Sequence, residues 1–409
     1  METRDELEFH LAKGSLAGLT VQGLAFDGTA KRPDGTAKRP DGTALDLSTV
    51  DVSDTLFVAC RFASVEVEAD LIRRGAHVVP DFHEVVYPTH PARLYTPEDL
   101  AAGHEQGFEG MYDTRVHRHF LAHGGAMPDI REALAQRMHD HGIDDALTDT
   151  IDAWTAAAGG PVVGVMGGHA EPRGGPGYRT AAEIGHRLAA AGCLVVTGGG
   201  PGVMEAANLG AALSTVDVSA LTTAIDRLAM APRFAEHDPY TRMAVEVRAT
   251  LPPEASAAPA SERAALTWAR HGGLSVPTWL YGHEPANLFA ARIAKYFSNA
   301  IREDTILRLA RGGIVFAPGR AGTVQEVFQA ATKAFYATDG DSGPFVFLDT
   351  VFWTEELPIE KLLRPLLRDS PHGDLSVSVH VTDDVDEAVG LVLEHGAPAV
   401  AKEAQRTTP

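Results

Sequence analysis

The sequence predicts an α/β protein whose larger part is a doubly wound, mostly parallel sheet with helices on both faces, next to a smaller N-terminal α/β or helical domain. Apolar runs of strand length end on glycine-rich turns at residues 167–168, 198–202 and 319–322, and a segment with helical spacing of apolar residues follows each turn. Such alternation is typical of parallel sheets, in which the carboxyl ends of the strands share one edge. The three turns are therefore expected to meet.

The composition narrows the possible functions. The chain has 409 residues, enough for two ordinary cores, and 35 Lys and Arg against 55 Asp and Glu give a net charge of −20. This charge repels nucleic-acid phosphates and anionic membranes, so we expect neither as a partner. Cys60 and Cys193 are too few for a disulfide framework, and both lie in apolar runs. Because no apolar leader or span is present, we expect a soluble, cytoplasmic protein.

We divide the chain into four parts. Residues 1–45 are expected to be a flexible segment, because they contain a polar tandem repeat at 28–44 that has no hydrophobic period. The other three parts are an accessory α/β-helical domain, the doubly wound domain with an insertion at about 213–270, and a tail, at residues 46–158, 159–397 and 398–409.

The accessory domain begins with an α/β pattern. Strands are predicted at Leu56–Cys60 and His77–Pro80, with a helix over Val65–Arg74 between them. Further on, His119 and His123 have the i, i+4 spacing of a metal site. No carboxylate stands between them as in His-Glu-x-x-His, so we favour surface or interface histidines over zinc and expect no metal.

The doubly wound domain opens with one strand–helix–strand unit. Val162–Met166 is predicted as a strand, a helix starts at Tyr178 and ends at Gly192, and Cys193–Val196 returns as the next strand. Another helix follows from Val203. Further segments are predicted as an insertion linker and helix (Leu251–Ala260, Ser261–Arg270), a strand (Leu274–Tyr281), a long helix with Lys295 and Arg302 on its polar side (Asn287–Leu309), and two last strands (Phe345–Leu348, Val379–Val381).

The most informative stretch lies around residue 320. Ile314–Phe316 has the pattern of a buried strand, and Pro318–Thr323 is a turn that leads directly into a helix. The first amides of a helix lack intrahelical partners and the helix dipole favours an anion there, so this turn suits a phosphate. Glu326 follows one turn into the helix, which places a carboxylate close to the bound anion.

Two motifs resemble the Lonely Guy (LOG) family, whose members are often mislabelled lysine decarboxylases. They are Gly198-Gly-Gly-Pro-Gly-Val-Met204 and Pro318-Gly-Arg-Ala-Gly-Thr-Val-Gln-Glu326, and the resemblance covers roughly residues 160–395. It implies a Rossmann-like fold and hydrolysis of a nucleoside 5′-monophosphate to free base and ribose 5-phosphate. Arg320 stands where the family usually has glycine, and Glu303 where it has lysine.

The residues and the resemblance together lead to a hypothesis for the site. Glu326 is the catalytic carboxylate and Arg302, sixteen residues before Pro318, is its partner. Glu205 is a second candidate carboxylate, and Glu326 serving only the helix dipole is the structural alternative. Substrate binding is assigned to the turns, at Gly167, Gly168, His169, Gly198, Gly199, Gly200, Gly202, Met204, Gly319, Arg320, Ala321, Gly322 and Thr323.

The predicted function is therefore hydrolysis of an AMP-like nucleoside monophosphate without a cofactor. The alternative is a nucleotide sensor or carrier that binds such a ligand without catalysis. Lysine decarboxylation is disfavoured, because neither Lys295 nor Lys333 has the setting of a Schiff-base lysine. The resemblance also implies a homo-oligomer. The base preference and the number of subunits stay open at this stage.

Overall fold

The structure is a computed structural model that describes residues 1, 4–27, 45–80, 82, 84–157, 159–251, 268, 270–282 and 285–406. The chain forms two compact units. Unit 1 comprises Met1–Leu94 and Arg115–Asp149, and unit 2 comprises Tyr95–Thr114 and Thr150–Pro409. Residues 95–114, which the sequence-based division assigns to the accessory domain, thus lie in unit 2.

Helices and strands alternate along both units, which confirms the α/β fold class. The α-helices of the described residues, numbered α1 to α13, are Arg4–Leu11, Val65–Arg73, Pro97–Ala101, Tyr112–Ala122, Ile130–Ala156, Pro176–Ala190, Val203–Ala212, Val218–Leu228, His237–Arg248, Asn299–Leu309, Ala321–Tyr336, Glu360–Arg368 and Val385–Arg406. The strands, numbered β1 to β10, are Thr20–Gln22, Leu56–Cys60, His77–Pro80, Val162–Met166, Leu194–Thr197, Leu274–Ser275, Arg292–Ile293, Gly313–Phe316, Phe345–Leu348 and Val379–Thr382.

Unit 1 contains a three-stranded parallel sheet in the order β1–β2–β3. Leu7 of α1, Val21 of β1 and Phe57 of β2 are buried in its core. The prediction of a flexible segment at residues 1–45 is therefore wrong for residues 4–27, because a helix and a strand there bury apolar side chains. The tandem repeat at 28–44 lies outside the described residues.

One histidine of unit 1, His119, contacts a buried carboxylate. Glu132 accepts a hydrogen bond from Tyr87 Oη at 2.8 Å, and its other oxygen lies 3.1 Å from His119 Nε2. The rings of His119 and His123 stack with their centroids 3.9 Å apart. Across the part of the chain that the structure describes, no group of three or more His, Cys, Asp or Glu residues is placed to hold a metal ion.

Unit 2 is built on a seven-stranded parallel sheet in the order β10–β9–β8–β4–β5–β6–β7. Of the seven strands in this sheet, β4 comes first along the chain, but it lies in the middle of the sheet. The chain then winds outward through β5, β6 and β7 on one side and β8, β9 and β10 on the other. This doubly wound, Rossmann-like order confirms the prediction. The order reverses between β4 and β8, and ligands of such sheets bind at the carboxyl ends of the strands at this point.

The predicted elements from 274 to 309 are partly wrong. The strand expected over Leu274–Tyr281 covers only Leu274–Ser275, and the single helix expected over Asn287–Leu309 is replaced by β7, a bend and α10. Lys295, expected on a polar helix face, is almost fully buried, and its ammonium lies 2.8 Å from a carboxylate oxygen of Asp113. Burial on all sides, rather than an amphipathic face, produces the apolar spacing in this segment.

The insertion and the tail also differ in part from expectation. Within the insertion the structure describes α8 and α9, whereas the predicted linker and the helix at Ser261–Arg270 lie almost wholly outside the described residues. The last helix, α13, continues to Arg406, beyond residue 398 where the tail is expected to begin.

Two further features bear on the chemistry of the chain. Cys60 and Cys193 are both buried, and burial raises the pKa of the Cys193 thiol to about 12, which makes this thiol unreactive at neutral pH.

Of the helices that the structure describes, none combines the length and the apolar character that crossing a membrane would require.

A first prediction concerns the acid stability of unit 1. Burial lowers the pKa of His139 below its ordinary 6.5, and His90 acts in the same direction while Asp140 opposes both. At pH values near and below 6.5, His139 therefore binds a proton more readily in the unfolded chain than in the folded one. Unit 1 should lose stability as the pH falls below about 6.5, which hydrogen exchange of unit 1 peptides measures.

The matched variants are His139→Gln and His141→Gln, since His141 lies on the same helix and is exposed. The first should flatten the dependence of exchange protection on pH, and the second should leave it unchanged. Equal pH dependence in wild type and His139→Gln would rule out His139 as the source.

Candidate functional site

The three glycine turns meet at one edge of the sheet in unit 2. They follow β4, β5 and β8, and β4 pairs in parallel with both of the other strands. The amide of Gly168 in the first turn donates to the carbonyl of Pro318 in the third, at 2.9 Å. The carbonyl of Gly168 accepts from Val203, which follows the second turn, at 3.3 Å. One residue thus links all three turns.

The second turn, residues 198–202, needs glycine for its close approach to neighbours. Gly199 has φ +77°, and a Cβ there would lie 2.1 Å from Ser275 Oγ. Gly202 has φ +73°, and a Cβ there would lie 2.5 Å from the carbonyl oxygen of Gly168. L side chains rarely adopt such φ values, so both the backbone angle and the space demand glycine.

A buried network holds the second turn in place. The hydroxyl of Thr197 donates to Asn208 Oδ1 at 2.6 Å and accepts from the amide of Gly199 at 3.2 Å. Asn208 also donates to the carbonyl of Gly272 at 2.5 Å and accepts from Asn287 at 2.8 Å. Buried polar groups of this kind are costly unless paired, so the network fixes the turn against α7 and the segment before β6.

The two predicted catalytic residues lie together. Arg302 on α10 and Glu326 on α11 are 5% and 8% exposed, and Arg302 Nη1 is 3.6 Å from Glu326 Oε1. The same Nη1 atom is 3.7 Å from the position that a Cβ on Gly198 would occupy. The pair therefore stands beside the second turn. A separation of 3.6 Å is that of an ion pair rather than a short hydrogen bond.

Glu303 connects the two helices that carry the predicted catalytic residues. One of its carboxylate oxygens accepts from Asn299 Nδ2 at 2.7 Å, and the other accepts from Gln325 Nε2 at 2.6 Å. This contact joins α10 to α11 at the residue next to Glu326. Glu303 is therefore a link between the two helices that carry Arg302 and Glu326.

The third turn leads into the amino end of α11. Arg320 occupies the N-cap position and makes no capping hydrogen bond with its side chain. Gly319, Arg320 and Ala321 border a cavity of about 620 Å³, and Phe352 and Leu357 also line it. The amides at the start of this 16-residue helix are oriented to receive an anion.

The remaining predicted substrate residues have different surroundings. Gly167 packs against α7, since a Cβ there would lie 2.7 Å from Val203 Cγ1. His169 borders a second cavity together with Pro201. Met204 lies under the second turn, because its sulfur is 2.9 Å from the position of a Cβ on Gly198. Gly200 is buried within that turn, whereas Gly322 faces open space and Thr323 is buried against Gly319.

Glu205, the second candidate carboxylate, is occupied by structural contacts. Arg173 binds it with two nitrogens, at 2.8 and 2.5 Å. The hydroxyls of Tyr178 and Tyr240 donate to it at 3.2 and 2.7 Å. Burial would lower the pKa of Arg173, but the Glu205 carboxylate raises it above its ordinary value. Burial, followed by the same carboxylate, raises the pKa of both tyrosines, so they remain donors.

The sequence gives no signal for this cluster. Arg173 lies in a loop rich in glycine and proline, and Tyr240 lies in the insertion. That both residues bind Glu205 is visible only in the structure. The hypothesis that Glu205 is a catalytic carboxylate is therefore not supported by its contacts, because all four hydrogen bonds go to buried protein groups.

Comparison with known proteins bears on part of this site. A model of the SLOG cluster4 family matches residues 160–216, and the SLOG superfamily includes LOG-like proteins. The matched stretch runs from β4 through α7 and contains the first two glycine turns but not Glu326. It indicates a nucleotide-related function. No curated protein matches the chain.

The third turn yields a steric prediction. A Cβ on Gly319 would lie 2.1 Å from Thr323 Oγ1 and 2.6 Å from Thr323 Cβ, whereas a Cβ on Gly322 meets nothing within 4 Å. Gly319→Ala should therefore lower the free energy of unfolding by about 1–3 kcal/mol. Gly322→Ala is the matched control without a clash, and urea titrations followed by tryptophan fluorescence measure both. Equal stability of the two variants would contradict this packing.

The Glu205 cluster yields a second prediction for unit 2. Glu205→Gln leaves the Arg173 guanidinium buried without a counter-charge and should cost about 3–5 kcal/mol of unfolding free energy. Tyr178→Phe removes one hydrogen bond to the same carboxylate and should cost about 1–2 kcal/mol. The same fluorescence titration compares them. A stable Glu205→Gln protein would show that the cluster is not structural.

Proposed function

We propose that this protein hydrolyses the N-glycosidic bond of a nucleoside 5′-monophosphate, releasing free base and ribose 5-phosphate. The observation that carries the proposal is the buried Arg302–Glu326 pair beside converging glycine turns. A carboxylate close to a helix amino end that favours anions would be unnecessary if the site only bound phosphate. We therefore assign Glu326 a role in the reaction.

The phosphate is assigned to the amino end of α11. The amides of residues 321–323 and the dipole of the helix favour a negatively charged group there. The net charge of the chain, −20, does not oppose this assignment, since backbone amides set the potential locally.

The sugar is assigned to the neighbourhood of Glu326. As the bond between C1′ and the base nitrogen breaks, its electron pair goes to the base and positive charge develops on the ribose. The Glu326 carboxylate stabilises that charge and orients a water molecule, whose oxygen bonds to C1′. The water loses one proton and the departing base gains one, so the step balances. Arg302 holds the carboxylate in position.

The proposal predicts the effect of replacing this carboxylate. Glu326→Gln keeps the shape of the side chain but removes its charge, so base release should fall by at least about 100-fold. The affinity for AMP should change little, because the phosphate contacts are unaffected. Chromatography of released adenine measures the rate, and calorimetry measures the affinity.

The matched control is Glu394→Gln, which removes an exposed carboxylate on α13. It should retain full activity. Undiminished turnover by Glu326→Gln would refute the assigned role of Glu326. Binding of AMP without any base release by the wild-type protein would favour the nucleotide sensor instead.

A further inference from the structure

A second cavity in unit 2 adjoins the first glycine turn. It has a volume of about 570 Å³ and is bordered by His169, which follows the first turn, and by Pro201 of the second turn. The insertion contributes six lining residues, namely Pro232, Arg233, Phe234, Ala235, His237 and Tyr240. These insertion residues form one wall of the cavity and lie outside the stretch 160–216 that matches the SLOG model. What this wall contacts bears on the specificity of the proposed hydrolysis.

One side of this wall is fixed to the core. Tyr240 is buried, its hydroxyl donates to Glu205 at 2.7 Å, and its carbonyl accepts from Arg173 Nη1 at 2.8 Å. The Arg173 guanidinium also lies over the Tyr240 ring, 3.2 Å from its centroid. A charged network with these contacts holds the start of α9 in one position.

Two further rings stand in this wall, those of Phe234 and His237. Phe234 packs edge-on against Tyr240 with ring centroids 5.5 Å apart, and its centroid is 4.6 Å from that of His237. The His237 ring also stacks on Phe108 with centroids 4.4 Å apart, and the amide of Phe108 donates to Asp238 at 2.7 Å. Phe234 and His237 both border the cavity, so two positioned rings line its surface.

The charge of the lining suits the uncharged end of a nucleotide. Glu171 and Arg233 also border the cavity, and their opposite charges cancel. The cavity therefore offers no net attraction for phosphate, in contrast to the amino end of α11. Two consecutive residues connect the third turn with this cavity. The amide of Gly168 donates to the carbonyl of Pro318 in the third turn, and His169 borders the cavity.

We propose that the insertion supplies a stacking site for the base of the nucleotide, with Phe234 and His237 as the residues that contact it. This proposal rests on the proposed function, since it takes the phosphate and the sugar to lie at the third turn and Glu326. Aromatic side chains bind the flat faces of bases by stacking, whose loss on substitution by alanine is measurable for each base.

The test compares two probes on a protein that does not turn over, the Glu326→Gln variant. AMP carries the base, and ribose 5-phosphate lacks it. Adding Phe234→Ala should weaken AMP binding by about 5- to 100-fold in calorimetry while leaving ribose 5-phosphate binding within about twofold. Phe234→Tyr, which retains the ring, should restore AMP binding.

His237→Ala is the second variant, because this side chain is exposed and borders the cavity. It should show the same selective loss. An equal loss for both probes, unchanged AMP binding in both alanine variants, or no AMP binding at all would overturn the stacking site. Failure of the proposed function has a different signature, since it is absence of base release by the wild-type protein whatever the ratio of the two affinities.

Discussion

The structure of unit 2 depends on the parallel pairing of β8, β4 and β5. Parallel strands present their carboxyl ends at one edge, so three turns that are more than 100 residues apart along the chain at their extremes are brought into hydrogen-bonding contact. The contact between Gly168 and Pro318 is possible because the turns are rich in glycine, and a Cβ on Gly168 would lie 3.1 Å from the Pro318 carbonyl oxygen. A change of strand order would separate the amino end of α11 from the second turn.

Three of the buried ion pairs in unit 2 have distinct surroundings. Glu205 accepts from Nε and Nη2 of Arg173 and from two tyrosine hydroxyls. Lys295 is paired with Asp113, which also accepts from Trp279 Nε1 at 2.8 Å. Such saturated contacts stabilise a fold, because removal of one partner strands a buried charge. Arg302 and Glu326 differ in standing 3.6 Å apart beside a glycine turn. This looser pair is the better candidate for chemistry.

The elements with local signals were predictable, and those fixed by distant partners were not. The strands at Val162–Met166 and Phe345–Leu348 were predicted with the observed bounds, because apolar runs bounded by glycine or proline define them. The segment 287–298 was predicted as helix because its apolar residues have helical spacing. Lys295 shows what spacing cannot reveal, since its partner Asp113 is 182 residues away in sequence. The same holds for Glu205, because no sequence motif predicts that Arg173 and Tyr240 are its partners.

The central claim is that the bound nucleotide is cleaved at C1′ and not at its phosphate. ³¹P NMR of AMP incubated with the wild-type protein tests this directly, because the two bonds give different phosphorus-containing products. The account predicts that the AMP resonance is replaced by that of ribose 5-phosphate, with one equivalent of adenine in solution. Appearance of inorganic phosphate with adenosine, or an unchanged AMP resonance, would contradict it.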